Sequence, residues 1–164
     1  MIYTIRDLIN NNKDENIAIT SENNNFIKYS ELKKHIFEIS GQLASQGIMP
    51  SNRAAIVLPN GPEMATAFLS ISSYMSAAPL NPSYKLKEYE FYLQDLMPKI
   101  VIVEKDSQNP AVEAAKNLGI EICEIKKIDN APTGIFNLYN KTANFEIATE
   151  NNEALVLHTS GTTS

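Results

Sequence analysis

The sequence has few of the residues on which several kinds of functional site depend. Of its 164 residues one is a cysteine, Cys123, and two are histidines, His35 and His158. A single cysteine excludes an internal disulfide and a cysteine-based metal cluster, and the two histidines lack the spacing of metal ligands. A lone cysteine also fits a reducing compartment, and we therefore expect a cytoplasmic protein.

Three glycine- or serine-based motifs are absent as well. None of the six glycines is followed by lysine, which excludes a Walker P-loop. There is no G-x-G-x-x-G fingerprint of a Rossmann dinucleotide site and no G-x-S-x-G nucleophile elbow. Cys123 lies in an apolar run with no histidine nearby in sequence, so we interpret it as a buried structural thiol rather than a nucleophile.

Charge and hydropathy exclude two classes of partner. The net charge is −5 and charged residues make up 20% of the chain, which leaves no basic stripe for nucleic acid. Residues 64–80 carry no charge, but Thr66 and four serines interrupt them, and they fall short of the ~20 apolar residues of a membrane span. We expect no nucleic-acid partner and no transmembrane segment, and we interpret this stretch as mainly a buried helix.

The chain does contain a regular alternation of strand-like and helix-like segments. Hydrophobic residues make up 43% of it, which suits one domain with a core. The apolar runs 54–58 and 100–103 are typical of strands buried on both faces, and residues 120–125 of a strand nearer the sheet edge. Helical spacing or helix signals occur in residues 30–46, 64–75, 86–96 and 110–118. The sequence therefore predicts an α/β fold, with a mostly parallel, doubly wound sheet and helices on both faces.

Several local features are predicted as well. Residues 17–20 and 26–29 are typical of a hairpin, and residues 126–152 of a long irregular connection. Ser30 is predicted to cap a helix, and Pro62 to occupy the first position of another. Gly41 lies inside a predicted helix at a cost in stability, which indicates a close packing contact.

The last twelve residues, 153–164, are the part of the chain with the clearest chemistry. Residues 154–157 form a short apolar run that predicts a buried strand. Five of the six residues that follow carry a hydroxyl and the sixth is glycine: Thr159, Ser160, Gly161, Thr162, Thr163 and Ser164. Hydroxyls and backbone N–H groups can converge on a phosphate, and the glycine lets the backbone approach closely. The same composition is also common in flexible terminal tails.

The order of these residues resembles a known signature. Val156-Leu-His-Thr-Ser-Gly-Thr-Thr-Ser164 is similar to the phosphate-binding motif of the AMP-forming acyl-CoA synthetases, in the adenylate-forming superfamily. That motif continues with Pro-Lys after one more residue. Residues 45–63, 78–82 and 88–95 are also similar to this family, although Asn52 stands where Asp is usual. Because the chain stops before Pro-Lys, we expect residues 1–164 to be an N-terminal piece of the large domain of a longer enzyme, with no second domain present.

The resemblance implies a two-step ligase. A carboxylate attacks the α-phosphorus of ATP and expels pyrophosphate, and the thiol of coenzyme A then takes the acyl group from the adenylate. It implies ATP, Mg²⁺ and coenzyme A as cofactors of the parent enzyme and a small carboxylate as its substrate. Residues 159–164 would hold the β and γ phosphates. The family's catalytic and metal-binding residues all lie downstream, so none is assigned here, and the fragment alone is expected to be inactive.

Within the family, the loop resembles that of the oxalyl-CoA synthetase branch, because His158 precedes it and Ser164 stands at its end. A medium- or long-chain fatty-acid ligase stays open as the alternative. Two other readings are compatible with the sequence. One is a self-contained α/β module that binds a small anion or a protein partner without catalysis. The other is a different ATP-using ligase that shares only the loop. We also expect a lone fragment to expose an apolar face and to self-associate.

Overall fold

The structure is a computed structural model that describes residues 3–22 and 25–158. Its helices are α1 (Ile5–Asn10), α2 (Tyr29–Ala44), α3 (Pro62–Ser72), α4 (Leu86–Leu96) and α5 (Pro110–Asn117). Its strands are β1 (Ile17–Thr20), β2 (Phe26–Lys28), β3 (Arg53–Val57), β4 (Ser76–Pro79), β5 (Ile100–Val103), β6 (Glu121–Glu124), β7 (Lys126–Lys127) and β8 (Phe136–Asn137).

The helices begin at the signals that the sequence provides, with one exception. Pro62 is the first residue of α3, and Asn109 caps α5 by accepting a hydrogen bond from the N–H of Ala111 at 2.9 Å. The prediction that Ser30 caps α2 is wrong. The N-cap is Lys28, two residues before Ser30, and the helix begins at Tyr29. The carboxylate of Glu31 accepts a hydrogen bond from the N–H of Lys28 at 2.8 Å and so satisfies the free backbone donor there.

The central element is a four-stranded parallel sheet with the strand order β4-β3-β5-β6. Ala54 on β3 lies opposite Ala77 on β4 and Ile100 on β5, and Ile100 lies opposite Glu121 on β6. The predicted position of β6 at the sheet edge is confirmed. The predicted hairpin of β1 and β2 is confirmed too, since the two strands pair antiparallel.

Helices cover both faces of the sheet, which confirms the predicted doubly wound architecture. On one face, Ile56 and Ile102 pack with α2 and α3 through Ile39, Leu43 and Ile71. On the other face, alternate strand residues pack with α4 and α5; they include Val57, Val101 and Val103, against Tyr89, Leu93, Ala111 and Ala115. Because successive residues of a strand point to opposite faces, these short apolar strands supply both cores.

The connection from 126 to 152 is mostly irregular, as predicted, but it is closely bound to α2. The side-chain amide of Gln42 accepts hydrogen bonds from the N–H groups of Leu138 and Tyr139 at 2.7 and 3.0 Å and donates one to Asn137 at 2.7 Å. A Cβ at Gly41 would lie 3.2 Å from the Cβ of Thr142. The predicted close contact at Gly41 is therefore confirmed, since this glycine gives the connection room to cross the helix.

Residues 154–157 do not form the buried strand that their apolar run predicts. Leu155 makes one isolated parallel bridge to Ala77 on β4, and the side chains of Leu155 and Leu157 are 41% and 61% exposed. The prediction was wrong because the segment lies outside β4, where in the described residues it has a sheet neighbour on one side only. The other two apolar runs form the buried strands β3 and β5, as predicted, and these are adjacent in the sheet.

No helix within residues 3–22 and 25–158 is long and apolar enough to cross a membrane.

Candidate functional site

The residues predicted to bind phosphate lie outside the part of the chain that the structure describes. They are Thr159, Ser160, Gly161, Thr162, Thr163 and Ser164. The described chain ends at His158, directly before them. The structure therefore bears on the site through residues 153–158, which lead into the predicted loop, and through the side chains that hold them.

Two backbone hydrogen bonds fix the direction in which this segment runs. The N–H of Ala77 donates to the carbonyl of Ala154 at 3.0 Å, and the N–H of Val156 donates to the carbonyl of Ala77 at 2.9 Å. The bridge is parallel, so the chain after Val156 runs toward the carboxyl ends of the sheet strands. Ligands of open α/β sheets bind outside those ends, which is the correct side for a phosphate loop.

An ion pair holds the start of the segment. The guanidinium of Arg53, at the beginning of β3, donates two hydrogen bonds to the carboxylate of Glu153 at 2.7 and 3.1 Å, and a third to the carbonyl of Leu96 at 3.3 Å. The hydrogen bond from Arg53 lowers the pKa of Glu153. A bidentate pair of this kind fixes orientation as well as distance.

A second polar contact holds the end of the segment. Nε2 of His158 lies 2.8 Å from the carboxylate of Asp95 on α4, and the imidazole packs on the ring of Tyr92 with 4.7 Å between ring centroids. Tyr92 in turn stacks on Tyr84 at 4.9 Å. These contacts anchor His158 to α4.

A cleft lies at the carboxyl ends of the sheet strands, and none of residues 153–158 lines it. It has a volume of about 990 Å³, and it adjoins the ends of β3, β5 and β6 together with the loop before α5. Six charged residues line it: Glu104, Lys105, Asp106, Glu124, Lys126 and Lys127. Their charges balance, so the described lining favours neither an anion nor a cation. The candidate site stays the predicted loop, where the residue chemistry is specific.

Two buried titratable groups lie away from this site. Burial raises the pKa of the Cys123 thiol to about 11, so the thiol is a poor nucleophile and the interpretation as a structural residue is confirmed. Burial also lowers the pKa of His35 to about 4, and neither ring nitrogen of His35 has a hydrogen-bond partner among the described residues. His35 is a core residue that packs edge-on against Phe136.

The residues that hold the segment were not identified from the sequence. Arg53 and Glu153 are 100 positions apart, and Asp95 and His158 are 63 apart. Pairs at such distances have no local signal in a single sequence. Arg53, Asp95 and His158 each lie within a stretch that carried the family resemblance, which is the one hint that the sequence offered.

The comparison with protein families gives the class of this chain. The family described as AMP-binding enzyme matches residues 7–164, and the chain therefore belongs to it. The resemblance to AMP-forming acyl-CoA synthetases is thereby confirmed over almost the whole chain.

Individual relatives carry more specific names. An oxalate–CoA ligase of Arabidopsis thaliana is 34% identical over 145 residues, covering 84% of this chain and 28% of that protein. An oxalate–CoA ligase of Saccharomyces cerevisiae is 29% identical over 144 residues, covering 71% of this chain and 26% of that protein. The chain thus spans less than a third of the length of either ligase.

Solved structures show the same fold. Apo MatB from Rhodopseudomonas palustris superposes with a TM-score of 0.77 at 20% identity, over all of this chain and 34% of that chain. The O-succinylbenzoate coenzyme A synthetase of Bacillus subtilis, solved with AMP, superposes with a TM-score of 0.76 at 21% identity, over 98% of this chain and 39% of that chain. At this level of identity the likeness establishes the architecture.

Proposed function

We propose that this chain is the N-terminal part of the large domain of an ATP-dependent, AMP-forming carboxylate–CoA ligase. The observation that carries the proposal is the family match over residues 7–164, which includes the whole predicted phosphate loop. A self-contained binding module is not favoured, because the match leaves almost no part of the chain unassigned.

In this proposal Thr159, Ser160, Thr162, Thr163 and Ser164, with the backbone around Gly161, hold the β and γ phosphates of ATP. Negative charge accumulates on the leaving pyrophosphate as the carboxylate attacks the α-phosphorus. Preorganised hydroxyl and N–H donors stabilise that charge more than they stabilise bound ATP, which lowers the barrier. Residues 153–158 support the assignment because they lead the chain to the carboxyl ends of the strands.

The parent enzyme would also use Mg²⁺ and coenzyme A. Among residues 3–22 and 25–158 there is no group of three or more His, Cys, Asp or Glu side chains that could hold a metal. At nucleotide sites Mg²⁺ is bound by phosphate oxygens with one or two carboxylates, so the ATP phosphates would supply part of its ligands, and the ion would neutralise phosphate charge. We propose a cytoplasmic location for the enzyme, since its buried thiol needs no oxidising compartment.

We propose oxalate as the carboxylate substrate. Two oxalate–CoA ligases are among the relatives, and His158 and Ser164 fit the branch that the sequence resembles. A medium- or long-chain fatty acid is the alternative. The two substrates differ in size and charge, so one enzyme is expected to discriminate strongly between them.

The test is an exchange assay on the full-length enzyme encoded by the parent reading frame. With labelled pyrophosphate and ATP, oxalate should drive label into ATP, and added coenzyme A should yield a thioester. Octanoate and palmitate serve as the alternative substrates. Exchange with a fatty acid and none with oxalate would overturn the proposal that oxalate is the substrate. Absence of exchange with every carboxylate would overturn the proposal that the enzyme is an AMP-forming ligase.

We also propose that residues 1–164 alone self-associate and are inactive. Leu155 and Leu157 are exposed at the outer side of β4. None of the residues from 154 to 157 carries a charge. Unprotected edges of this kind pair with other chains. Light scattering of the isolated chain should show species larger than a monomer, and Leu155→Lys should reduce them. A monomer at high concentration would contradict the proposal.

A further inference from the structure

Asn60 and Gly61 form the one Asn-Gly pair in the sequence, and they lie in the turn that joins β3 to α3. Both residues are exposed, and both lie outside the helices and strands. Within the described part of the chain, the side-chain amide of Asn60 and the N–H of Gly61 make no hydrogen bond. The amide carbon and the backbone nitrogen that follows it are therefore exposed to water and unrestrained by hydrogen bonds.

Gly61 leaves the backbone nitrogen open to approach because it has no side chain. In any other residue a Cβ next to that nitrogen would crowd the side chain of Asn60 as it approached. The surroundings leave room for such a Cβ, since its nearest neighbour would be Oε2 of Glu63 at 3.8 Å. The backbone of Gly61 is extended, with φ 161° and ψ −178°. Alanine can therefore replace this glycine as a test without strain or a clash.

The start of α3 lacks hydrogen-bond acceptors. Gly61 is the N-cap and has no side chain with which to cap the helix, and Pro62 is its first residue. The N–H groups of Glu63 and Met64 have no partner among residues 3–22 and 25–158. The carboxylate of Glu63 forms an ion pair with Lys127 at 3.3 Å. Because the N-terminus of a helix carries partial positive charge, a carboxylate gained just before Gly61 is stabilised there.

We propose that Asn60 is a site of spontaneous deamidation. The backbone nitrogen of Gly61 bonds to Cγ of Asn60, the bond from Cγ to the side-chain nitrogen breaks, and ammonia leaves with the proton of the Gly61 N–H. A water molecule then opens the resulting succinimide. Opening at Cγ gives aspartate, which stabilises the start of α3. Opening at the main-chain carbonyl gives isoaspartate, which lengthens the backbone between β3 and α3 by one carbon.

The chemical test follows residue 60 by peptide mass spectrometry after the 164-residue chain has been kept in heavy-oxygen water at neutral pH. Digestion in ordinary water then adds only unlabelled products. Asn140 is the internal control, since it is exposed and makes no hydrogen bond among the described residues, but Lys141 follows it. Label should enter residue 60 about tenfold faster than residue 140, which corresponds to a barrier lower by about 1.4 kcal/mol.

The products and a variant identify the attacking atom. Both aspartate and isoaspartate should form at residue 60, because direct hydrolysis of the side chain gives aspartate alone. Gly61→Ala should slow the labelling to about the rate at Asn140. Equal labelling of residues 60 and 140 in the wild-type chain, or aspartate without isoaspartate, would overturn the proposal.

The effect on α3 is tested with two variants of equal charge. Asn60→Asp reproduces one product, and Asn140→Asp adds the same charge in the irregular connection. In urea unfolding, Asn60→Asp should lower the unfolding equilibrium constant by about two- to fivefold, the size of a helix-dipole interaction, and Asn140→Asp should give no such gain. Equal constants in the two variants would contradict stabilisation at the helix end. None of these measurements depends on the proposed function, so a failed ligase assay would leave them unaffected.

Discussion

Arg53 and Glu153 lie one hundred residues apart in sequence and form a bidentate ion pair, with N–O distances of 2.7 and 3.1 Å. The pair joins the first residue of β3 to the segment that leads into the predicted phosphate loop. Both side chains are partly exposed, so the pair contributes little to global stability. Its main effect is to fix where the segment begins.

Glu153→Gln should therefore loosen the segment more than it destabilises the fold. We expect the N–H of Val156, which donates to Ala77, to exchange faster with solvent, while the free energy of unfolding falls by about 1 kcal/mol at most. Hydrogen exchange read by NMR measures the first effect and urea unfolding the second. Asp14→Asn, which breaks an ion pair with Lys33 elsewhere, should leave exchange at Val156 unchanged.

The pH dependence of this contact has a defined sign. The pKa of Glu153 is lowered in the folded chain. The stability that its contact with Arg53 contributes is therefore complete above the ordinary carboxyl pKa and is lost as the pH falls through the lowered value. Exchange at Val156 should accelerate in acid in the wild type, beyond the intrinsic pH dependence of amide exchange. A similar acceleration in Glu153→Gln would contradict this assignment.

Protonation of His35 should weaken the fold in mild acid. Its pKa is about 4 in the folded chain, below the ordinary value of 6.5, because the core excludes the charged form. The stability that the neutral ring contributes is complete above 6.5 and is lost progressively as the pH falls toward 4. At pH 5 the loss should be about 2 kcal/mol relative to neutral pH.

Urea unfolding at several pH values measures this loss. In His35→Phe the slope between the two pKa values should flatten, since no group at this position takes up a proton on unfolding. Lys34→Gln changes an exposed neighbour on the same helix and should leave the slope as it is. If the Phe variant does not fold, His35→Leu provides the same comparison. An unchanged slope in a folded variant would mean that another group causes the acid sensitivity.

Gly134, in the connection after β6, should be harder to replace than Gly119, which lies between α5 and β6. Its φ is +79°, and an added Cβ would lie 3.0 Å from the carbonyl oxygen of Pro62 and from Cγ2 of Thr66. Gly134→Ala should cost about 2–4 kcal/mol, from backbone strain and crowding together. Gly119→Ala is the matched control, because Gly119 has φ +67° and open space around it. This substitution should lower the free energy of unfolding through backbone strain alone. Equal costs in urea unfolding would exclude the crowding at Gly134.

Thr162 should matter for catalysis in the full-length enzyme. Thr162→Val keeps the shape of the side chain but removes a donor that we propose is directed at the leaving pyrophosphate. By comparison with the loss of one oxyanion donor, adenylation should slow by about 10²–10³-fold. The measurement is kcat for pyrophosphate exchange, with circular dichroism to show that the variant folds. An unchanged kcat would mean that this hydroxyl does not serve the phosphates.

The order of the strands and helices could be predicted from the sequence, because hydrophobic spacing and capping residues are local signals. Pro62 and the apolar run of β5 indicated their elements within one or two residues. Ser30 misled because Glu31 accepts the hydrogen bond of the Lys28 N–H, which places the N-cap at Lys28 and leaves Ser30 inside the first turn. The phosphate-binding role of residues 159–164 rests on their order in the sequence and stays a prediction.

The sequence by itself determined the class of this protein, since the family signature and the alternation of elements are both written along the chain. Only the tertiary structure decided that residues 154–157 lie outside β4 as a half-exposed segment, and that Arg53 and Asp95 hold its two ends. The local pattern of residues in the sequence indicates how apolar a segment is, whereas its burial depends on how many neighbours the fold places beside it. Side-chain contacts across 63 and 100 residues exist only after the sheet has brought distant strands and helices together.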